Sequence, residues 1–261
     1  MEGMLKAALP LAACALALAG AAPLRAEPAV VGLARSYLGP ESTLEGINTI
    51  HFIGTLDRVD PARPADPSAH ATLDMVFEKP LRQHLEIRGA RGTRTTVLDG
   101  YDAWDLMRPA ADPNRVRLNF LPPAEIKTLR ANTWENLYFF KAPAWGAEED
   151  KGPATVDGIE CERVDFIHDT ATTYARYFDR DTGRLVLTVR GGETLRQVGE
   201  IVVDGIRFPK SVVSTGKGPT GQEVVSTVSF QSITLNEPVS PALFAAPSYT
   251  VATPAPAAPA K

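Results

Sequence analysis

"LDMVFEKPLRQHLEIR", residues 73–88, holds two short runs of alternating side chains on either side of Lys79-Pro80. Leu73, Met75 and Phe77 recur at every second position. Leu81, Gln83, Leu85 and Ile87 do the same against Arg82, His84, Glu86 and Arg88. A period of two puts one set on a dry face and the other on a wet one, as in a strand of a one-sided sheet.

The same period extends in both directions. Ile50, Phe52 and Leu56 repeat it upstream, and further strands are expected at 93–98, 101–107, 114–118, 160–167, 172–179, 184–190, 194–203, 206–215 and 222–234. Asp99-Gly100, Asp181-Thr182-Gly183 and Asp204-Gly205 mark tight turns between them. Roughly a dozen strands on short turns predict a mainly β (α+β) protein, one long antiparallel sheet, strongly curled. Two segments break the rhythm with helical spacing: Val30, Leu33, Ala34, Tyr37 and Leu38, and then Ile126, Leu129, Arg130, Thr133, Trp134 and Leu137 after Pro122-Pro123. A sheet with one apolar face needs a cover, so these amphipathic helices are expected across its concave side.

The chain ends read differently. Lys6 precedes an apolar, alanine-rich run from Ala7 to Ala22, too short and too interrupted by Pro10 to span a membrane, so residues 1–26 read as a signal peptide. Leu11-Ala12-Ala13-Cys14 looks like a lipobox, the lipoprotein acylation site. The run stays apolar from Ala15 to Ala22, where a lipoprotein turns polar, so ordinary cleavage is the expectation and lipid anchoring the alternative. Residues 27–250 then form one domain, and 251–261, ending in "TPAPAAPAK", form a Pro/Ala tail with nothing to pack. Cleavage leaves Cys161 as a lone thiol, so packing and not a disulfide must hold the core. With 27 basic against 31 acidic residues, the charge argues against nucleic acid as a partner.

Signals of catalysis fail in turn. "GKGPTG" (216–221) matches a Gly-x-Gly-x-x-Gly pattern, but it contains Pro219 and lies between two strands, where a hairpin loop is expected. His51, His70, His84 and His168 are scattered without metal-ligand spacing, and no Gly-x-Ser-x-Gly elbow occurs. Asp179 and Asp181 sit in Asp-x-x-Gly turn chemistry beside Arg180 and Arg184, which repel a cation. Glu148-Glu149-Asp150 reads as a solvated loop. Neither a catalytic residue, a cofactor nor a metal is expected.

The ordered turns "LDGYDAWDL" (98–106), "VDGIECERVDF" (156–166), "YFDRDTGRLVLTV" (177–189), "VDGIRFPKSVV" (203–213) and "ITLNEPVSPALFAAP" (233–247) resemble the LolA/LolB-like outer-membrane lipoprotein-sorting proteins. The likeness runs from about Leu33 to Pro247. It implies an incomplete β-barrel of about eleven strands with helices as a lid over a hydrophobic cavity. It also implies a periplasmic carrier of acylated lipoproteins or lipids, with inner- or outer-membrane lipoprotein-transport proteins as partners. On that reading Leu73, Met75, Phe77, Leu85, Ile87, Trp104, Ile126, Leu129, Trp134 and Leu137 are the candidate cavity and lid residues. The family's lid-holding arginine before a proline corresponds in "FEKP" to Lys79, a point charge in place of a planar fork. An envelope scaffold that binds another protein through its sheet is the rival reading, and a hydrolase with a hidden site is a third.

Overall fold

The computed structural model describes residues 27–66 and 69–248; the signal-peptide reading of 1–26, Cys14 and the 251–261 tail lie outside the described residues. Strands β1 (Thr49–Val59), β2 (His70–Glu78), β3 (Arg82–Gly89), β4 (Gly92–Asp99), β5 (Asp102–Pro109) and β6 (Arg117–Phe120) form a first meander. A second contains β7 (Ala147–Val156), β8 (Ile159–Ile167), β9 (Thr173–Asp179) and β10 (Leu185–Arg190), followed by β11 (Glu193–Val203), β12 (Ile206–Lys217) and β13 (Glu223–Leu235). β13 returns to pair with β1, which joins the two meanders into one antiparallel sheet. Helices α1 (Ala29–Leu38) and α2 (Glu41–Gly46) precede the sheet, and α3 (Pro123–Leu137) links its halves.

The sheet has thirteen strands, where the resemblance implied about eleven, and it curls without closing. Its order runs from β6 at one edge to β7 at the other. These two strands are consecutive in sequence, and the segment joining them passes over the helix-covered face of the sheet. α3 makes that crossing, and it packs on β2, β3 and β4 as it goes.

Directly opposed residues share a face. One row therefore reads Leu235, Ile50, Phe77, Gln83, Leu98, Ala103 across six strands, and the next reads Ile233, Phe52, Met75, Leu85, Thr96, Asp105. This is the helix-covered face. Phe77, Ile50, Leu44, Ile47, Phe139 and Leu137 form its main cluster. Gln83, on the dry side of its strand, is fully buried there, and its Oε1 accepts hydrogen bonds from Thr133 Oγ1 and Asn132 Nδ2, both at 3.2 Å. A polar group in that row is tolerated because α3 supplies donors for it.

The intervening row reads His51, Val76, His84, Val97, Trp104 and faces away. Trp104 packs there with Val76, Val97, Leu106 and Phe244, beneath the segment after β13, so its candidacy for the cavity is corrected. Its one-residue offset from Ala103 puts it on the outer surface. Two further expectations also change. Glu148-Glu149-Asp150 lies in β7 and not in a loop, paired through Glu148–Phe166 and Asp150–Val164. α1 buries Val30, Val31, Ala34 and Arg35, while Leu33 is 39% exposed.

The β9–β10 corner is a structural turn. Asp179 Oδ1 accepts the backbone N–H groups of Asp181 (3.0 Å) and Thr182 (2.9 Å), and the Thr182 bond foremost holds its carboxyl below the usual range. Gly183 has φ +75°, and a Cβ there would lie 2.5 Å from Leu33 C and 2.6 Å from Ala34 N. The corner thus abuts α1 directly. Gly183→Ala should lower stability by about 1–3 kcal/mol through left-handed strain and the clash with the helix backbone. Asp179→Ala, which loses only the turn bonds, should cost about 0.5–2 kcal/mol. Urea denaturation of the two variants side by side measures both.

Candidate functional site

The concave face is filled on one half and hollow on the other. Beneath the β2–β4 half, Phe77, Leu137 and Gln83 close the space. On the β9–β13 half a cavity of about 210 Å³ remains between the sheet and the helices. Phe52, Phe208, Phe230 and Val212 form its sheet wall, and Phe139 and Phe140 come from the turn after α3. The aromatic rings meet edge-on or tilted: Phe52 lies 4.8 Å from Phe230 and 6.0 Å from Phe208, and Phe139 lies 6.3 Å from Phe208. A second space of about 150 Å³ adjoins it, shares Leu38, Leu185, Gln197 and Phe208, and runs out past Tyr37 to Glu200. Tyr37 OH contacts the Glu200 carboxylate, and Arg207 Nη1 donates to Tyr37 O at 2.6 Å. The C-terminal end of α1 is thereby tethered over this opening.

The inner end of the cavity is polar. Asn132, Glu135 and Asn136 project from α3 toward Arg176, Thr188 and Arg190 of β9 and β10. Glu135 is buried and engaged on both oxygens: Oε1 lies 2.6 Å from His168 Nε2, and Oε2 lies 2.6 Å from Arg176 Nη1. The Arg176 contact is ionic without hydrogen-bond alignment, and Arg176 Nε has no acceptor among the described residues. The Arg176 guanidinium also lies over Phe140 (4.7 Å) and Phe166 (5.0 Å). Arg190 Nη1 donates to Tyr174 OH at 3.3 Å, and burial raises the pKa of that phenol, which keeps it neutral.

What holds the helices down is Arg35. It is 5% exposed; its Nη1 donates to Tyr138 O (3.0 Å) and Phe139 O (2.5 Å), and its other edge meets Glu41 (Nε–Oε2 3.0 Å, Nη2–Oε1 2.6 Å) and Glu45 (3.1 Å). One planar fork thus ties α1 to α2 and to the turn after α3. Phe139 (φ +47°) and Phe140 (φ +67°) are both in the left-handed region. Such conformations cost of order 1–3 kcal/mol each and persist only where their surroundings enforce them. Arg35 grips the first of the two from its carbonyl side. Lys79, at the lid-holding position implied by the resemblance, donates to Glu45 O at 3.3 Å and lies 5.2 Å from the Tyr138 ring. Glu45 also contacts Lys141, the foremost cause of its lowered pKa.

The candidate residues fall into three groups. Leu73, Met75, Phe77, Leu85 and Ile87 come together on the concave face, as their period requires, but none borders the cavity. Leu137 is core, Ile126 and Leu129 are half-buried, and Trp134 stacks on Tyr138 at 3.7 Å and donates to Lys141 O. Trp104 is on the other face. The residues that do line the cavity, together with Arg35, were missed. Their signal was a charge at a dry position: Arg176 between Tyr174 and Phe178 in β9, and Arg35 four residues after Val31 in α1.

No protein-family model matches the sequence, and no curated protein matches it. Solved structures do. A LolA superfamily protein from Nitrosomonas europaea superposes with a TM-score of 0.57 at 9% identity, covering 83% of this chain and 96% of that one. The fold is that of the LolA/LolB-like proteins. A DUF1329 family protein from Desulfovibrio piger (TM-score 0.52, 13% identity, 83% and 96% covered) shares it. So does a putative outer membrane lipoprotein-sorting protein domain from Vibrio parahaemolyticus (0.51, 11%, 82% and 95%).

Arg35→Met should leave two carbonyls without their donor and lower stability by about 1–3 kcal/mol. Hydrogen exchange should quicken in 29–46 and 137–141 while β1–β4 stay protected. Arg35→Lys should retain the glutamate contacts but not both carbonyls, giving an intermediate rate.

Proposed function

We propose that the protein is a periplasmic carrier that shields acyl chains of lipoproteins or lipids from water, in service of sorting toward the outer membrane. The observation that carries this reading is the unfilled, aromatic-walled cavity under a lid that polar contacts hold shut. A folded core normally reaches close packing. Keeping apolar surface unpacked leaves room for methylenes, and each one buried contributes about 0.8 kcal/mol. The lid is held by the Arg35 fork and a few ionic contacts together with a short apolar seam at Val30, Val31 and Ala34, and on this reading it lifts while the strand ladder stays paired. The shared fold with a putative lipoprotein-sorting domain supports the same reading. A scaffold would be expected to fill its concavity with its own side chains.

At about 210 Å³ the closed cavity is smaller than the roughly 300–1,000 Å³ that drug-sized ligands occupy, so bulky cargo requires α1 to lift. We place the exit at the space beside Tyr37 and Glu200, where α1 ends. The reading is of a binding protein and not a catalyst, with membrane lipoprotein-transport proteins as the partners that load and unload it.

A series of single-chain acyl probes should bind the folded protein at one site, with affinity rising about fourfold per methylene before levelling off. Val212→Asp, on the half-buried sheet wall, should weaken binding at least tenfold and leave the β-sheet circular dichroism unchanged. If no probe binds and Val212→Asp has no effect, the carrier gives way to a scaffold.

A further inference from the structure

The polar inner end of the cavity is unexplained by a purely apolar carrier. We propose that Arg176 and Arg190 form an anion-binding site there, so that the preferred occupant is an amphiphile with a carboxylate or phosphate head group and a chain lying along the phenylalanine wall. This rests on the carrier reading and names the chemistry of its cargo.

The geometry comes from strand register. Thr188 opposes Arg176 and Arg190 opposes Tyr174, so the two arginines are diagonal neighbours on one face, with backbones about 7–8 Å apart. Both guanidiniums lie against the Tyr174 ring, 5.9 Å from its centroid for Arg176 and 5.6 Å for Arg190. Each can reach an oxyanion seated between them.

The charges do not balance within the cavity. Glu135 is the one carboxylate among the lining residues, and His168 and Arg176 already engage both of its oxygens. Arg190 is paired with Glu193 at 3.2 Å, and that carboxylate, outside the lining, has 46% of its side chain exposed. Three arginines, Arg176, Arg190 and Arg207, thus line the cavity against one lining carboxylate, while Glu193 and Glu200, the partners of the latter two, stand outside that lining and are nearly half-exposed. Arg176, 6% exposed, keeps an Nε–H without an acceptor among the described residues. A buried donor left unmade is costly, and an anionic oxygen would satisfy it with a charge-assisted bond. Water exclusion by the aromatic wall strengthens that attraction. The opposite end of the cavity is apolar, with Phe52, Phe230 and Val212 on the sheet. One charged end and one greasy end describe an amphiphile.

The test uses the full chain and probes of one length below their micellar concentrations: dodecanoate, dodecyl phosphate, dodecanol and dodecyltrimethylammonium. Dodecanoate or dodecyl phosphate should bind at least tenfold more tightly than dodecanol, and the ammonium more weakly still. The tighter of the two acids identifies the head as a fatty-acid carboxylate or a lipid phosphate. Arg176 also neutralises Glu135, so its loss perturbs folding, and Arg190 carries the mutational arm. Arg190→Gln should bring the acid-to-alcohol ratio down toward one, and Arg190→Lys should restore part of it. Dodecanol binding as tightly as both acids, with the chain-length dependence intact, overturns the anion site and leaves the carrier standing. Failure of every probe to bind overturns both.

Discussion

The Arg35 guanidinium is the interaction on which the arrangement of the helices depends. α1 is ten residues long and α2 six, too short to persist alone in water. Their position over the sheet comes from burying Val31 and Ala34 and from the fork that Arg35 offers to two carbonyls and two carboxylates. A buried cation is costly unless every side is answered. Here it is answered by Tyr138 and Phe139 on one side and by Glu41 and Glu45 on the other. The carboxylates remain largely in solvent, so the desolvation falls mainly on the arginine, and the latch stays weaker than a hydrophobic seam of equal area.

Topology explains why one half of the concave face is filled and the other is not. β6 and β7 are neighbours in sequence at opposite edges of the sheet, and α3, which joins them, runs over the covered face. A 15-residue helix is about 22 Å long. It lies on β2, β3 and β4, where Thr133 and Leu137 meet Gln83 and Phe77. The remaining breadth is left to α1 and to the tight turn at Phe139 and Phe140. A short helix and a turn cannot fill that width, and a cavity is left.

The period of two in β2 and β3 and the Asp-Gly turns made most of the sheet legible in the sequence. β7 was not, because an edge strand open to water on one side carries no apolar alternation: Glu148, Glu149, Asp150 and Lys151 look like a loop. The helical segments were legible, but their buried faces were less so, since Arg35 and Thr133 are buried through partners far away in sequence. The cavity itself could not be read. Leu73, Met75 and Leu85 have the same pattern as the true lining residues, and only the placement of α3 decides which half of a continuous dry face is covered. Trp104 went astray by a single residue, which in a strand is the difference between inside and outside.

β7 has a consequence for the protein's behaviour among its own copies. An open sheet ends in two rows of unpaired backbone groups, and each is a template on which another chain could add a strand. β6, at four residues, offers little length for that. β7 is ten residues long, but it carries four consecutive charges, a register shift between Asp150 and Gly152, and Pro153, which has no N–H to give. A second molecule approaching that edge would meet like charges and an irregular ladder. The strand that was hardest to recognise in the sequence is therefore the edge least suited to receive a strand from another copy.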